Sequence, residues 1–82
     1  MSDVIKSFLN TWTVYFDTKD HPKVYCSRRF EGIDPTSDIF VNADVTAVRQ
    51  WIHEESKKFD QGVPMCLPRS LNDDPVIVEV WL

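Results

Sequence analysis

Four side chains in this sequence are of the type that bind soft metals or pair as nucleophile and base: His21, Cys26, His53 and Cys66. They are separated by four, twenty-six and twelve residues, with no CxxC or HxxxH pair, so a structural zinc site is not expected. Cys26, inside VYCSRRF, reads as a small buried hydrophobe, and His53 as a solvated helix residue. Either thiol with either histidine and an acid would suffice chemically for nucleophilic catalysis, but no nucleophile motif surrounds them. Cys66, in PMCLP, is the more accessible by context, and only Arg69 stands near it in sequence to favour a thiolate. The adjacent Asp73 and Asp74 precede Pro75 and read as a polar turn rather than an acid and base. With two glycines in the whole chain there is neither a P-loop nor a GxGxxG turn. The expectation is a protein that is not an enzyme and takes no cofactor and no metal.

Two other constellations carry physical content. Arg28 and Arg29 stand beside Tyr25 and Phe30, a mixture of cations and aromatics that single-stranded nucleic acid binders place on a sheet face. Successive strand residues point to opposite faces, which divides the arginines, and thirteen acids against nine bases give a net charge of −4 that opposes phosphate contacts. The second constellation is PVIVEVWL, residues 75–82, in which Val76, Val78, Val80 and Leu82 alternate with Ile77, Glu79 and Trp81. The valine face is expected to pack on a helix, with Ile77, Glu79 and Trp81 turned away from it.

Those residues need elements to hold them. With 43% hydrophobic and 12% aromatic residues over 82 positions, the composition suits one small folded domain, residues 1–82, without repeats or low-complexity tracts. A short helix is expected over 3–9. TWTVYFDT alternates Trp12, Val14 and Phe16 against Thr11, Thr13 and Tyr15 and predicts a strand; TKDHPK supplies a turn; KVYCSRRF predicts its hairpin partner. GIDPTS reads as a loop in which Gly32 can take a positive φ, and DIFV as a short third strand. Asn42 as a cap, Asp44 in the first turn and Val45, Val48, Ile52 and Phe59 at helical spacing predict a helix over about 43–59, with Glu54 facing Lys57 or Lys58. Gly62 stops it, and the three prolines of VPMCLPRSLNDDP predict a long connection before the final strand.

The expected fold is therefore α+β: a small antiparallel sheet of three to four strands packed on one main helix. One helix cannot cover both faces of a sheet, which leaves apolar surface for a partner. The leading functional expectation is a small protein-binding module, an inhibitor or regulator, with Trp81, Ile77, Glu79, Tyr25 and Tyr15 as contact residues. Its acidity suits a basic partner, and a homodimer would use the same surface. The alternative is single-stranded nucleic acid binding through Arg28, Arg29 and Tyr25. No stretch approaches the length of a membrane span and no export signal is evident, so a cytoplasmic protein with reduced thiols is expected.

Overall fold

Strand β1 (Asn10–Phe16) becomes the centre of the sheet because both of its edges find partners. A computed structural model describes residues 9–59, 63–68 and 76–82. Strands β2 (Tyr25–Glu31), β3 (Asp34–Asn42), β4 (Cys66–Pro68) and β5 (Ile77–Trp81) join β1 in one antiparallel sheet ordered β3-β2-β1-β5-β4. One helix, α1 (Val45–Lys58), packs on β3, β2 and β1. The α+β architecture is as expected, with five strands where three to four were predicted.

The extra strand is β4, whose Cys66, Leu67 and Pro68 pair with Trp81, Val80 and Glu79 inside what reads as connection. A three-residue strand is too short to show periodicity, and its proline is tolerated because β4 is an edge. The third strand is longer than DIFV suggests. GIDPTS is not a loop, because the hairpin turns on Gly32 and Ile33 alone, with Glu31 facing Asp34. Gly32 has φ +63° and Ile33 has no positive φ, the pattern of a two-residue turn that needs glycine first. The register then slips between Arg28 and Phe30 to absorb the extra residues of β3.

Helix α1 starts later than the sequence suggests. Asp44 is the N-cap, its carboxylate accepting from Thr46 N at 2.9 Å, and Asn42 instead accepts from Asp44 N at 2.8 Å. Lys58 pairs with Glu55 rather than Glu54, at 2.8 Å. So few residues separate Asn42 from Val45 that the helix must fold straight back over β3 and its neighbours. Trp12, Val14, Val48 and Ile52 are completely buried and form the core, flanked by Tyr25, Phe40, Trp51, Val78 and Trp81. Trp51 stacks on Phe40 with ring centroids 5.5 Å apart.

The expected orientation of the last strand holds for Ile77 and Val78 and is overturned from Glu79 onward. Paired residues share a face, and Trp12 faces Trp81 while Val14 faces Glu79, so Trp81 and Glu79 lie on the helix side and Val80 on the other. Two causes combine. Tyr15 faces Ile77 although Val14 faces Glu79, so Val78 is the extra residue of a bulge that shifts the alternation. Glu79 is drawn under the helix by Arg49, thirty residues away in sequence. Residues 3–8 of the expected helix, the Gly62 stop, Arg69 and the Asp73-Asp74 pair lie outside the described residues, and Leu9 is not helical, its carbonyl accepting from Gly32 N at 3.0 Å.

Replacing Ile52 with alanine removes a fully buried side chain and should cost about 2–5 kcal/mol in urea unfolding. Gly32→Ala meets no atom within 4 Å, yet should cost about 1 kcal/mol from backbone conformation alone.

Candidate functional site: the helix-free face of the sheet

The pairings sort the sheet into two faces. On the face without the helix, Leu67, Val80, Thr13, Arg28 and Ile39 form one row across all the strands. Ile77, Tyr15, Cys26 and Val41 form the row beside it, and Thr11, Phe30 and Pro35 the row on its other side. Arg28 is the one charged side chain in these rows. No described element covers them, and Ile39, Val41 and Leu67 are 40%, 37% and 40% exposed. Ile33, at the β2–β3 turn, is 92% exposed.

Of the residues expected to contact a partner, Tyr15 and Ile77 belong to this face. Trp81, Glu79 and Tyr25 belong to the helix side and are not brought together with them. Trp81 is half-buried, its indole Nε1 donating to Glu79 Oε2 at 2.7 Å and its ring meeting His53 edge-on at 5.3 Å. Tyr25 packs on Phe16 with ring centroids 4.7 Å apart.

The nucleic acid constellation is also divided. Arg28 stays on the helix-free face, where Nη1 donates to Thr36 O at 2.5 Å. Arg29 is 7% exposed under the helix, donating to Asp38, Asn10 and Glu31 at 2.8, 2.7 and 2.9 Å and lying 4.4 Å over the ring of Phe59. Its charge is consumed inside the fold.

The thiols face opposite ways. Cys26 shares a row with Tyr15, Cys66 shares one with Trp81, and three strand spacings separate β2 from β4, about 14 Å. A disulfide needs Cα atoms within about 7 Å, and both cysteines are free. Burial pushes the Cys26 thiol above its ordinary range, with Arg28 opposing and Asp20 reinforcing. Burial also raises Cys66, helped by the charge of Glu79 and a hydrogen bond to it, with Arg49 opposing. Neither environment favours a thiolate. Among the described residues, no group of three or more His, Cys, Asp or Glu side chains could hold a metal ion, and no helix is long and apolar enough to cross a membrane.

Glu79, expected from the sequence as a partner contact, is instead a constrained polar group inside the fold. It is 6% exposed and accepts from Arg49 Nε and Nη2, both at 2.9 Å, as well as from Trp81. The Arg49 bonds come first among the causes that hold its carboxyl below the ordinary range, against the opposing effect of burial. The only signal available in sequence was a carboxylate in the middle of an apolar strand.

A carboxyl whose folded pKa is depressed adds stability above its unfolded value of about 4.3, lost as pH falls through the folded value. Glu79→Gln should therefore flatten the loss of stability on acidification below about pH 4, followed by urea midpoints. Arg49→Ala leaves a buried carboxylate short of two donors and should cost about 1–3 kcal/mol near neutral pH.

Comparison with protein-family models, with curated proteins and with solved structures gave no match, so the fold and this face stand alone as the guide to function.

Proposed function

We propose that the chain is a small non-catalytic protein-binding module, an inhibitor or regulator, that engages its partner with the helix-free face of the sheet. The observation that supports this most is that face: three rows of predominantly apolar residues across the strands, with one charged side chain and no described element over them. Sheet faces in water ordinarily alternate apolar-in with polar-out. Here both sides are largely apolar, with Ile39, Val41 and Leu67 exposed and Tyr15, Phe30, Ile77 and Val80 half-buried, and an exposed apolar patch marks an interaction surface.

Tyr15 and Ile77 remain contact residues in this reading, joined by Val80, Phe30, Ile39, Val41 and Leu67. Trp81, Glu79 and Tyr25 act through the helix side, where they fix the fold. The net charge of −4 favours a partner surface that is basic around an apolar centre, since complementary potentials steer encounter and suppress wrong partners. Raised pKa values at both thiols favour binding over nucleophilic chemistry. Single-stranded nucleic acid is the weaker reading, because Arg29 is paired inside the fold and Tyr25 is on the other face.

Affinity capture from the native cell lysate tests the proposal when run in parallel for wild type, Ile39→Asp, Val80→Asp and Gln50→Ala, each checked for an unchanged thermal midpoint. A partner retained by wild type and by Gln50→Ala, on the exposed side of the helix, and lost from both aspartate variants is the expected outcome. Partners that bind all four proteins alike overturn it. A second copy of the chain as the retained partner would make the face a dimer interface. Salt-sensitive capture of nucleic acid by wild type, abolished by Arg28→Gln, would favour the other reading.

A further inference from the structure

Main-chain groups along the edge of a sheet need partners as much as those inside it, and the free edges of β4 and β3 meet that need differently. Edge strand β4 is short and ends on Pro68. The first half of β3 is blunted as well: Pro35 has no N–H to offer, the register with β2 slips, and Asp38 N donates to Thr36 Oγ1 at 3.2 Å. The stretch from Ile39 to Asn42 has no proline, no lysine and no slip of register.

Which of its groups are open follows from the ladder. Asp17 N donates to Val24 O at 3.1 Å and Gly32 N to Leu9 O at 3.0 Å, which marks these as hydrogen-bonded pairs at the two ends of the β1–β2 register. Bonded and non-bonded pairs alternate along an antiparallel ladder. Counted from either end, Cys26, Arg28 and Phe30 turn their main-chain groups to β1, and Tyr25, Ser27 and Glu31 turn theirs to β3. Asn42 and Phe40, opposite Tyr25 and Ser27, therefore bond to β2, while Ile39 and Val41, opposite Arg28 and Cys26, point N–H and C=O out of the sheet. No described strand lies on that side, and the side chains of Ile39 and Val41 are exposed.

We propose that a second copy of the chain pairs with this stretch, antiparallel, about a two-fold axis that passes between the two Phe40 residues. Two-fold symmetry in an antiparallel edge pairing sets the axis perpendicular to the sheet, which keeps both helices on one side and matches residues of the same face. Centred on Phe40, Ile39 meets Val41 of the second copy and exchanges both main-chain bonds with it, and Val41 meets Ile39 likewise, so every open group of the stretch is used. Phe40 meets Phe40 at a non-bonded position, where side chains stand closest, beside the Trp51 ring that stacks on it. Asp38 meets Asn42, so no like charges oppose, and Arg29 already neutralises Asp38 at 2.8 Å. Centring on Ile39 instead would set Phe40 against Asp38 and Val41 against Ser37. The sequence around Phe40 therefore reads alike in both directions, apolar beside aromatic beside apolar, and the strand that complements it is itself. The pairing uses the edge and leaves the helix-free faces of both copies open, so it does not rest on the reading of that face as a docking surface.

The test is sedimentation equilibrium of the full chain from about 10 μM to about 1 mM, where a monomer–dimer equilibrium with a Kd of about 100 μM is expected of so small an interface. Over the same range the amides of Ile39 and Val41 should come to exchange with solvent about fivefold more slowly as the dimer fills. The double variant Ile39→Lys with Val41→Lys opposes lysine to lysine across the axis and should weaken association at least about tenfold, although the chain is then less acidic. Ile39→Lys with Val41→Glu opposes unlike charges at the same positions and should restore association to within about threefold of wild type. Val80→Asp, on the helix-free face two strands in from the β3 edge pair, should dimerise as wild type does, which separates this pairing from contact through the face. The proposal is overturned if the wild-type chain stays monomeric throughout, if the two amides gain no protection with concentration, if the two double variants associate alike, or if Val80→Asp abolishes the dimer.

Discussion

The carboxylate of Glu79 decides which side of β5 is turned to the helix. An ionised group can be buried only where donors replace the water it loses, and the two-pronged contact from Arg49 with the indole of Trp81 supplies three. Shifting β5 by one residue would turn Glu79 out and bring Val80 in, a better outcome by hydrophobic count alone. It would also leave Arg49 without its partner and take Trp81 away from the core. Because α1 packs chiefly on β3, β2 and β1, the Arg49 to Glu79 contact is also what ties the helix across to β5.

A second buried ion pair does the same work at the other end of the helix. Arg29 gathers Asp38 from β3, Glu31 from its own strand and Asn10 from β1, and its flat face lies on Phe59 just past the end of α1. The charged groups inside this small core therefore sit at its two ends, with Trp12, Val14, Val48 and Ile52 between them. Charges placed there specify register, since an unpaired charge is far costlier than a misplaced valine. Among the described strand rows of the other face, Arg28 is then the one charged residue.

How much of this could be read from the residues depended on the range of the interactions involved. Local signals held: the alternation of Trp12, Val14 and Phe16, the positive φ of Gly32 and the helical spacing of Val48 and Ile52 all act within a few positions. The split of Arg28 and Arg29 between faces followed from the pleat alone. What failed was anything set by a partner far along the chain. The bulge at Val78 belongs to the pairing with β1, β4 exists because β5 offers it an edge, and Glu79 is buried because of a helix residue thirty positions earlier. Hydrophobic patterning ranked Glu79 as an outside residue because nothing in its neighbourhood showed the arginine, and it placed Trp81 outside with it.

A mismatch of areas survives that correction, although it falls on other residues. Five strands spaced about 4.8 Å apart span about 19 Å between the outermost pair, whereas a helix with its side chains is about 10–12 Å across. On its own side of the sheet, α1 needs Arg49, His53 and Trp81 to close the space over β5. On the far side no helix lies among the described residues; there Ile39, Val41 and Leu67 are exposed, and Tyr15, Ile77 and Val80 half-buried. Small domains bury a modest share of their surface, so a face of that composition weighs against solubility, which a net charge of −4 favours. Among the described residues the rows of that face carry Arg28 as their one charge, so hydrocarbon and charge are kept on different parts of the sheet.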